Sequence, residues 1–327
     1  MVQIKALLKR PAYVVLLTIS WVVDLARYTR NASVIFMADS DRKLEALIRK
    51  DNHRIEKGLA LPQPRVWFGE AVLYRLNKNL REYVGKGKAR SDLLDESHTV
   101  ISEYEKAFLH NGPAPKNIFD LINGINEVLG SRNPCVAGTL EIRKDDVAEM
   151  VDIDYERFVR SRFSVRQFDG SVVSSEVVSR AVELATKTPS VCNRCAWKVY
   201  NISGAERVSR VLSCQNGNAG FGHTVGNVLI VVSDLRCFEG GGERNQAFVD
   251  GGLFAMNLVH ALHREGVASC FLNWSADVFQ DQRLRKLLRI PSHEVVITFI
   301  AIGGYPDTVR VAVSPRPRVN DVLFNLQ

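Results

Sequence analysis

The sequence predicts a layered fold of helices and strands, α+β or α/β, that follows a mostly helical region. Apolar residues at spacings of three and four predict helices before residue 150, whereas short strand-like apolar runs alternate with helices after Asp146. A length of 327 residues allows one large domain or two moderate ones. We therefore predict a helical region of unknown role over residues 1–150 and a second domain over residues 151–327.

Prolines and glycines divide the first region into four predicted helices, at residues 39–57, 69–83, 91–109 and 116–129. No motif in this region indicates a reaction. Its densest ionisable cluster runs from His53 to Gly58. This cluster is either an anion or partner site, or a solvated helix end that Gly58 caps.

In the second region, strands are predicted at residues 197–202, 225–232, 269–272 and 294–302, and helices at residues 174–187, 204–212 and 244–264. The last helix has apolar or small residues around much of its circumference, including Gly251 and Gly252. We expect it to be central and buried, with the glycines allowing another backbone to approach closely.

The composition, with 46% hydrophobic and 24% charged residues, is that of a folded globular protein. Lys and Arg exceed Asp and Glu by seven, and this surplus divides into +4 over residues 1–150 and +3 over the remainder. A surplus spread so evenly helps to attract phosphates but lacks the basic stripe typical of nucleic-acid binding, so no nucleic-acid partner is predicted.

Six cysteines at irregular spacing in a chain of this size indicate a reducing, cytoplasmic setting. Cys192 and Cys195 form a single C-x-x-C pair, and no second pair or His pair follows at the spacing of a structural zinc site. No metal site is therefore predicted. The P-loop, G-x-S-x-G, H-E-x-x-H and dinucleotide-binding motifs are also absent from the sequence.

At the N-terminus, Lys5, Lys9 and Arg10 precede an apolar run over residues 12–23, an order that imitates a signal peptide or a membrane anchor. A bilayer core requires about 20 apolar residues, and this run is shorter. We predict a buried or surface-docking helix here, with peripheral membrane contact through residues 1–30 as the alternative.

Three later segments carry groups that could bind a cofactor. In an extended chain, Arg162, Ser164 and Arg166 would share one side, and two guanidiniums with a hydroxyl suit a phosphate monoester. An amphipathic edge strand explains this segment equally well. The polar loop at residues 188–197 could present backbone groups and the Asn193 amide to a heteroaromatic ring.

The third segment, residues 314–318, contains two arginines in a chain stiffened by prolines, and a basic tail explains it equally well. Together the three segments resemble the nitroreductase family of flavin mononucleotide (FMN) enzymes. The family pattern of R-x-S-x-R-x-F, then P-S-x-x-N-x-Q-P-W, then two basic residues one position apart is matched in order over residues 155–327. The turn from Gly303 to Pro306 also resembles the family's glycine turn, but Cys195-Ala196 stands where the family often has Gln-Pro.

The resemblance implies an α+β fold, a mixed sheet flanked by helices, and a homodimer with FMN at the subunit interface. It also implies hydride transfer from NADH or NADPH and reduction of a small organic acceptor, such as a nitro compound or a quinone, by a ping-pong mechanism. No side chain is implied as an acid or base. The alternatives are related flavin reactions, or a degenerate flavin-binding or scaffold protein whose helical half docks a partner or a membrane surface.

By the same resemblance, the cofactor-binding residues fall into four sets. The phosphate and ribityl chain would contact Arg162, Ser164, Arg166, Arg316 and Arg318. The flavin ring would lie against Pro189, Ser190 and Asn193, with Asn218 at its edge, and the backbone of Leu272 and Asn273 would approach its reactive nitrogen. Electron exchange between the flavin and the pair Cys192 and Cys195 is the alternative to simple packing of these thiols.

Overall fold

The computed structural model describes residues 2–32 and 40–326. Its N-terminal part contains five helices, which are α1 (Val2–Asn31), α2 (Asp41–Leu59), α3 (Glu70–Gly85), α4 (Ser91–Phe108) and α5 (Lys116–Leu129). Helices α2 to α5 confirm the four predicted from apolar spacing, although the predicted start of the first, residue 39, lies outside the described residues. Their shared core includes Leu76, Leu80, Ile101 and Ile125, all fully buried.

The sequence suggested that Gly58 caps the C-terminal end of α2, but Gly58 does not have this role. The helix continues through Gly58 to Leu59, and Ala60 caps it. A Cβ atom at Gly58 would lie 2.2 Å from Cε2 of Phe68, which is too close for any side chain. The glycine therefore lets the Phe68 ring pack directly on the helix backbone.

The described C-terminal part contains four strands and six α-helices, with short 3-10 turns between them. In chain order these elements are α6 (Lys144–Met150), α7 (Tyr155–Ser161), α8 (Ser175–Ala185), β1 (Trp197–Ser203), α9 (Ala205–Leu212), β2 (Asn227–Asp234), α10 (Gln246–Arg264), β3 (Ala268–Asn273), α11 (Val278–Leu288) and β4 (Glu294–Gly303). All four strands and the helices α8, α9 and α10 were predicted. The helices α6, α7 and α11 were not.

The strands form one sheet in the order β1-β2-β4-β3, and every neighbouring pair is antiparallel. This arrangement confirms α+β, since an α/β fold requires parallel strands, but the described sheet is antiparallel and not mixed as the resemblance implied. Alternate residues of β2 face opposite layers: Val228 and Ile230 join a core with α9 and α11, whereas Leu229 and Val231 join a core with α8 and α10. Helices thus flank both faces of the sheet.

Helix α1 docks on the C-terminal part of the chain. The Arg27 guanidinium donates to the Asp281 carboxylate on α11 at 2.7 Å, and the Tyr28 hydroxyl donates to the Gly240 carbonyl at 2.5 Å. The predicted surface-docking helix is therefore present, but these contacts follow the apolar run, whose Val14, Leu17 and Trp21 are each more than half exposed. Within residues 2–32 and 40–326, no helix is both long and apolar enough to cross a bilayer.

Candidate functional site

Residues 162–168, the arginine segment, extend along the free edge of β3. The Val165 amide donates to the Ser269 carbonyl of β3 at 3.0 Å, and the Val165 side chain is fully buried. Arg162 and Ser164 are half-buried, and Arg166 is exposed. Val165 thus lies in the core, but the predicted alternation does not hold throughout, because Phe163, which would share the side of Val165, is 37% exposed.

The arginine segment carries cationic charge without acidic partners. Among the residues that the structure describes, no carboxylate oxygen lies within 4 Å of the Arg162 or Arg166 guanidinium. Within the described part of the chain, Arg166 donates to the Ser164 carbonyl, at 3.5 Å. A half-buried guanidinium without a counter-ion favours binding of an anion, and the fork of its donors matches a phosphate.

Two histidines at the end of α10 lie beside the arginine segment. Burial lowers the pKa of His260 and of His263, and the positive charge of Arg162 lowers both further. His263 Nε2 lies 2.8 Å from the Ser161 hydroxyl. No motif in the sequence marks these histidines, although their spacing of three on a predicted helix places them on one face.

Residues 189–196, the Cys loop, connect α8 to β1 in an unusual backbone conformation. Cys192, Asn193 and Cys195 have positive φ angles of 49°, 52° and 47°. The Ser190 hydroxyl accepts a hydrogen bond from the Cys195 amide at 3.1 Å, and the Asp250 carboxylate of α10 accepts one from the Val191 amide at 3.1 Å. Non-glycine residues adopt this region at a cost, so surrounding contacts must hold the loop.

Arg194 holds the Cys loop in place from its buried side. Its side chain is only 1% exposed and makes two hydrogen bonds with the Glu243 carboxylate, at 3.0 and 2.6 Å. The same guanidinium donates to the Val191 carbonyl at 3.1 Å and lies 5.6 Å from the centre of the Phe238 ring. Pro189 and Asn193 remain exposed on the outer side of the loop.

Asn218 lies in a loop that adjoins the end of β3. Its side-chain nitrogen donates within that loop, to the carbonyls of Leu212 and Gln215 at 2.8 and 2.7 Å. Gln215 in turn donates to the Asn273 carbonyl at 3.1 Å, and the Leu272 carbonyl accepts a hydrogen bond from Thr298 at 3.2 Å. The structure thus brings the Asn218 loop and the end of β3 together through Gln215.

The two arginines of the C-terminal segment lie on an exposed stretch of chain. Arg316 contacts the Ser314 carbonyl, and Nε of Arg318 lies 3.5 Å from the Asp321 carboxylate. The described hydrogen bonds and ion pairs of Arg316 and Arg318 are therefore with residues close to them in the sequence. None is with the arginine segment.

Helix α10 separates the arginine segment from the Cys loop within one chain. Asp250 of α10 holds the Cys loop, whereas His263, beside the arginine segment, follows 13 residues later. At 1.5 Å per residue, this separation is about 20 Å. The two regions also lie at opposite edges of the sheet, next to β1 and β3. Within one chain, the predicted cofactor-binding residues therefore do not all lie around one point.

The outward face of α10 is apolar. Phe248, Val249 and Leu253 are about half exposed, and Met256 is 36% exposed. Their spacing places them on one side of the helix, opposite the side that packs on the sheet. An exposed apolar face of this kind is typical of a protein interface.

Asp234, His293 and Glu294 form a cluster whose potential ligand atoms lie within 4.8 Å of one another. Arg236 already pairs with Asp234 at 2.7 Å, and Lys198 pairs with Glu294 at 2.6 Å. Because these cations balance the two buried carboxylates, we assign no metal to the cluster.

Two stretches of the chain, residues 159–218 and 209–305, match the model of the Nitroreductase family. The C-terminal part of this chain is nitroreductase-like. The match confirms the resemblance to this family, and it covers the arginine segment and the Cys loop but ends before residues 314–318. Helices α1 to α6 precede this nitroreductase-like part. The domain boundary predicted at residue 150 also lies before it.

Solved structures with similarity to the chain include several nitroreductases. An FMN-dependent nitroreductase from Clostridium difficile is 19% identical, with a TM-score of 0.45 over 52% of this chain and 98% of its own. A candidate nitroreductase in complex with FMN from Desulfovibrio desulfuricans is 18% identical, with a TM-score of 0.46 over 54% and 99%. A nitroreductase-like protein from Streptococcus mutans is 18% identical, with a TM-score of 0.46 over 53% and 98%. No curated protein matches the sequence.

Proposed function

We propose that this protein is a flavin oxidoreductase that binds FMN, takes hydride from NADH or NADPH, and reduces a small organic acceptor by a ping-pong mechanism. The family match supports an oxidoreductase. The observation that carries the cofactor assignment is the half-buried Arg162 guanidinium, which has no carboxylate within 4 Å among the described residues and so fits a phosphate.

In this proposal, Arg162, Arg166 and the Ser164 hydroxyl hold the phosphate of FMN. The depressed pKa values of His260 and His263 keep these neighbours neutral near pH 7. Neutral imidazoles add no positive charge that would repel the arginines. Arg316 and Arg318 would join the phosphate only if the exposed C-terminal segment moves toward it.

The Cys loop would orient the flavin ring through Pro189, Ser190 and Asn193. Arg194 fixes the loop from below, which leaves its outer side free for the ring. The backbone of Leu272 and Asn273 lies at the end of β3, where it would face the reactive nitrogen, and Asn218 supports this end through Gln215. When bound, FMN would supply the hydride chemistry, and we assign no side chain as acid or base.

We further propose that the site is completed in a homodimer. The Cys loop lies about 20 Å along α10 from the arginine segment. A second copy seated on the apolar face of α10 could place its own Cys loop against the arginine segment of the first. Two-fold symmetry would then produce two equivalent sites.

The division of the chain and its compartment are also proposals. One apolar core lies among α2 to α5 and others lie on the two faces of the sheet, which supports a division at residues 1–150 and 151–327, and a smaller cluster that contains Ala46 and Ala196 joins the two parts. All six cysteines are free thiols, which supports a reducing, cytoplasmic compartment.

The absorbance spectrum of the purified protein tests the proposed function. We expect a flavin spectrum as purified or after addition of FMN, and bleaching of that spectrum by anaerobic NADH or NADPH. Subsequent addition of a quinone or a nitroaromatic compound should restore it. Protein that stays colourless with excess FMN would overturn the proposal, and bound FMN that neither donor bleaches would favour the scaffold alternative.

A second role, contact with a membrane surface, is supported by the outward face of α1. Val14, Leu17, Trp21 and Leu25 are each more than half exposed. Residues 1–31 contain five basic residues and one acidic residue. An apolar helix face with a basic surplus and an exposed tryptophan fits the interface of an anionic bilayer.

Co-sedimentation with vesicles tests this second role. The protein should bind vesicles containing an anionic phospholipid more strongly than purely zwitterionic vesicles. Trp21→Glu should weaken the binding, whereas Tyr74→Glu, at a similarly exposed aromatic residue on α3, should not. Equal vesicle binding by the two variants would show that α1 does not contribute to the interaction.

A further inference from the structure

Helix α2 packs directly on the Cys loop. Ala46 of α2 and Ala196 at the end of the loop are 3% and 1% exposed, and both belong to a small apolar cluster with Leu235, Cys237, Phe238 and Ala247. Because both alanines have only a methyl side chain, the helix and the loop can approach closely. The N-terminal helices therefore contact the part of the chain that would orient the flavin ring.

Arg42 of α2 forms a polar link across this contact. Its Nη2 donates to the Cys195 carbonyl at 3.0 Å, and its Nη1 donates to the Glu45 carboxylate at 3.0 Å. The other oxygen of that carboxylate accepts a hydrogen bond from the Tyr83 hydroxyl of α3 at 3.0 Å. A continuous chain of hydrogen bonds thus runs from α3 through Arg42 to the backbone of the Cys loop.

The Cys loop depends on such external contacts because of its backbone conformation. Cys195, whose carbonyl Arg42 holds, is one of three loop residues with a positive φ angle. Its amide is fixed separately by the Ser190 hydroxyl. A residue held at both its amide and its carbonyl can be maintained in a conformation that L-amino acids otherwise disfavour.

We propose that Arg42 is a positioning residue for the flavin site. It acts on the Cys195 carbonyl, and through it on the exposed side of the loop, and it need not touch the cofactor. The helical extension is then a working part of the site and not an independent appendage. This inference rests on the proposed function where it concerns FMN, whereas the effect of Arg42 on the loop can be measured without any cofactor.

The test compares Arg42→Ala with Arg49→Ala in the full-length protein. Both arginines lie on α2, both side chains are 18% exposed, and both pair with a glutamate, but Arg49 pairs with Glu96, away from the Cys loop, whereas Arg42 also lies 3.8 Å from the Asp234 carboxylate. In the absence of FMN, hydrogen exchange at the amides of Val191, Asn193 and Cys195 should accelerate about 10-fold in Arg42→Ala, as expected for the loss of the charged hydrogen bond to the Cys195 carbonyl. It should be unchanged in Arg49→Ala.

With FMN, Arg42→Ala should raise the dissociation constant about 10-fold and shift the absorbance or circular dichroism of the bound flavin. Arg42→Lys should recover part of both effects because it keeps one cationic donor. If Arg42→Ala does not fold, Arg42→Lys is compared with Arg49→Lys by the same measurements. Parent protein that binds no FMN would overturn the proposed function, whereas accelerated exchange would still support the effect of Arg42 on the loop. Normal exchange, affinity and flavin spectrum in Arg42→Ala, with a parent that binds FMN, would overturn the role of Arg42 alone.

Discussion

Arg194 and Glu243 form a two-bond ion pair that joins the Cys loop to the turn before α10. The guanidinium is buried, whereas the carboxylate is 27% exposed. Removal of the Glu243 charge leaves the buried guanidinium with the more distant Glu239 carboxylate, at 4.0 Å, as its remaining described counter-charge, which costs far more than an exposed ion pair contributes.

Glu243→Gln should therefore lower the free energy of unfolding by about 3 kcal/mol, near the lower end of the range for breaking a buried pair. The control is Glu156→Gln, since Glu156 pairs with Arg160 at the surface and both side chains are at least 75% exposed. That change should cost less than about 0.5 kcal/mol. Chemical denaturation measures both changes in the free energy of unfolding. Similar losses for the two variants would show that the buried Arg194–Glu243 pair stabilises the protein no more than a surface pair does.

Arg162→Ala should weaken FMN binding by about 1.5–3 kcal/mol, a 10- to 150-fold rise in the dissociation constant, because a hydrogen bond to a charged group is lost. Adding Arg166→Ala should cost less than the sum of the two single changes, since both would contact one phosphate. Arg160→Ala, two residues earlier and paired at the surface, should leave the affinity unchanged. Flavin fluorescence titration measures all three.

Arg316→Ala tests whether the exposed C-terminal segment reaches the same phosphate. We expect a loss of FMN affinity in the same range as for Arg162→Ala. Unchanged affinity would mean that the local contacts of Arg316 persist in the bound state and that the segment is a solvated tail.

His263 should make stability depend on pH. Its pKa in the folded protein is lowered from 6.5 by burial and then by Arg162. Below about pH 6.5 the unfolded chain therefore takes up more protons, so the free energy of unfolding should fall as the pH falls through that value. Arg162→Gln should reduce this fall by raising the pKa of His263, whereas Arg160→Gln should not. Denaturation at about pH 7 and pH 5.5 measures the difference, and identical slopes would contradict it.

Leu253→Glu should convert the proposed dimer to a monomer and weaken FMN binding together, because it places a charge at the centre of the apolar face of α10. Leu184→Glu on α8 is the matched control, since Leu184 is 48% exposed and Leu253 is 51% exposed. Light scattering gives the mass. A parent mass near 36.6 kDa with FMN bound would show that one chain closes its own site.

Gly251→Ala should lower the free energy of unfolding by about 1–2 kcal/mol, the cost of overpacking minus the gain in helix propensity. A Cβ atom there would lie 2.6, 3.0 and 3.2 Å from three atoms of the Ile297 side chain. Gly85→Ala, in a helix with open space around it, should instead be neutral or stabilising. Stabilisation by Gly251→Ala would mean that Ile297 can move aside.

Much of the fold followed from the sequence because the signals were local. The strands of the sheet are short apolar runs, and the helices α2 to α5 show regular apolar spacing, so neighbouring residues sufficed. Helix α11 was not predicted, although the sequence carries a signal for its first turn, since Asp277 and Gln280 form a capping box.

The contacts that shape the candidate site could not be predicted in the same way. Arg42 and Cys195 are 153 residues apart, and no pattern near either residue indicates the other. The role of Gly58 depends on Phe68, which follows a turn rich in proline. The arginine segment was found because its three polar residues are close in sequence, but the histidines beside it arrive from α10 through tertiary packing.

The contact between Ala46 and Ala196 also bears on how such a chain can change over time. A larger side chain at either position would push α2 away from the loop, and loss of the helices would expose Ala196, Cys237 and Phe238 to water. A substitution at either alanine can therefore be accommodated only if the facing surface changes with it. The sequences of α2 and of the loop at residue 196 constrain each other through this packing.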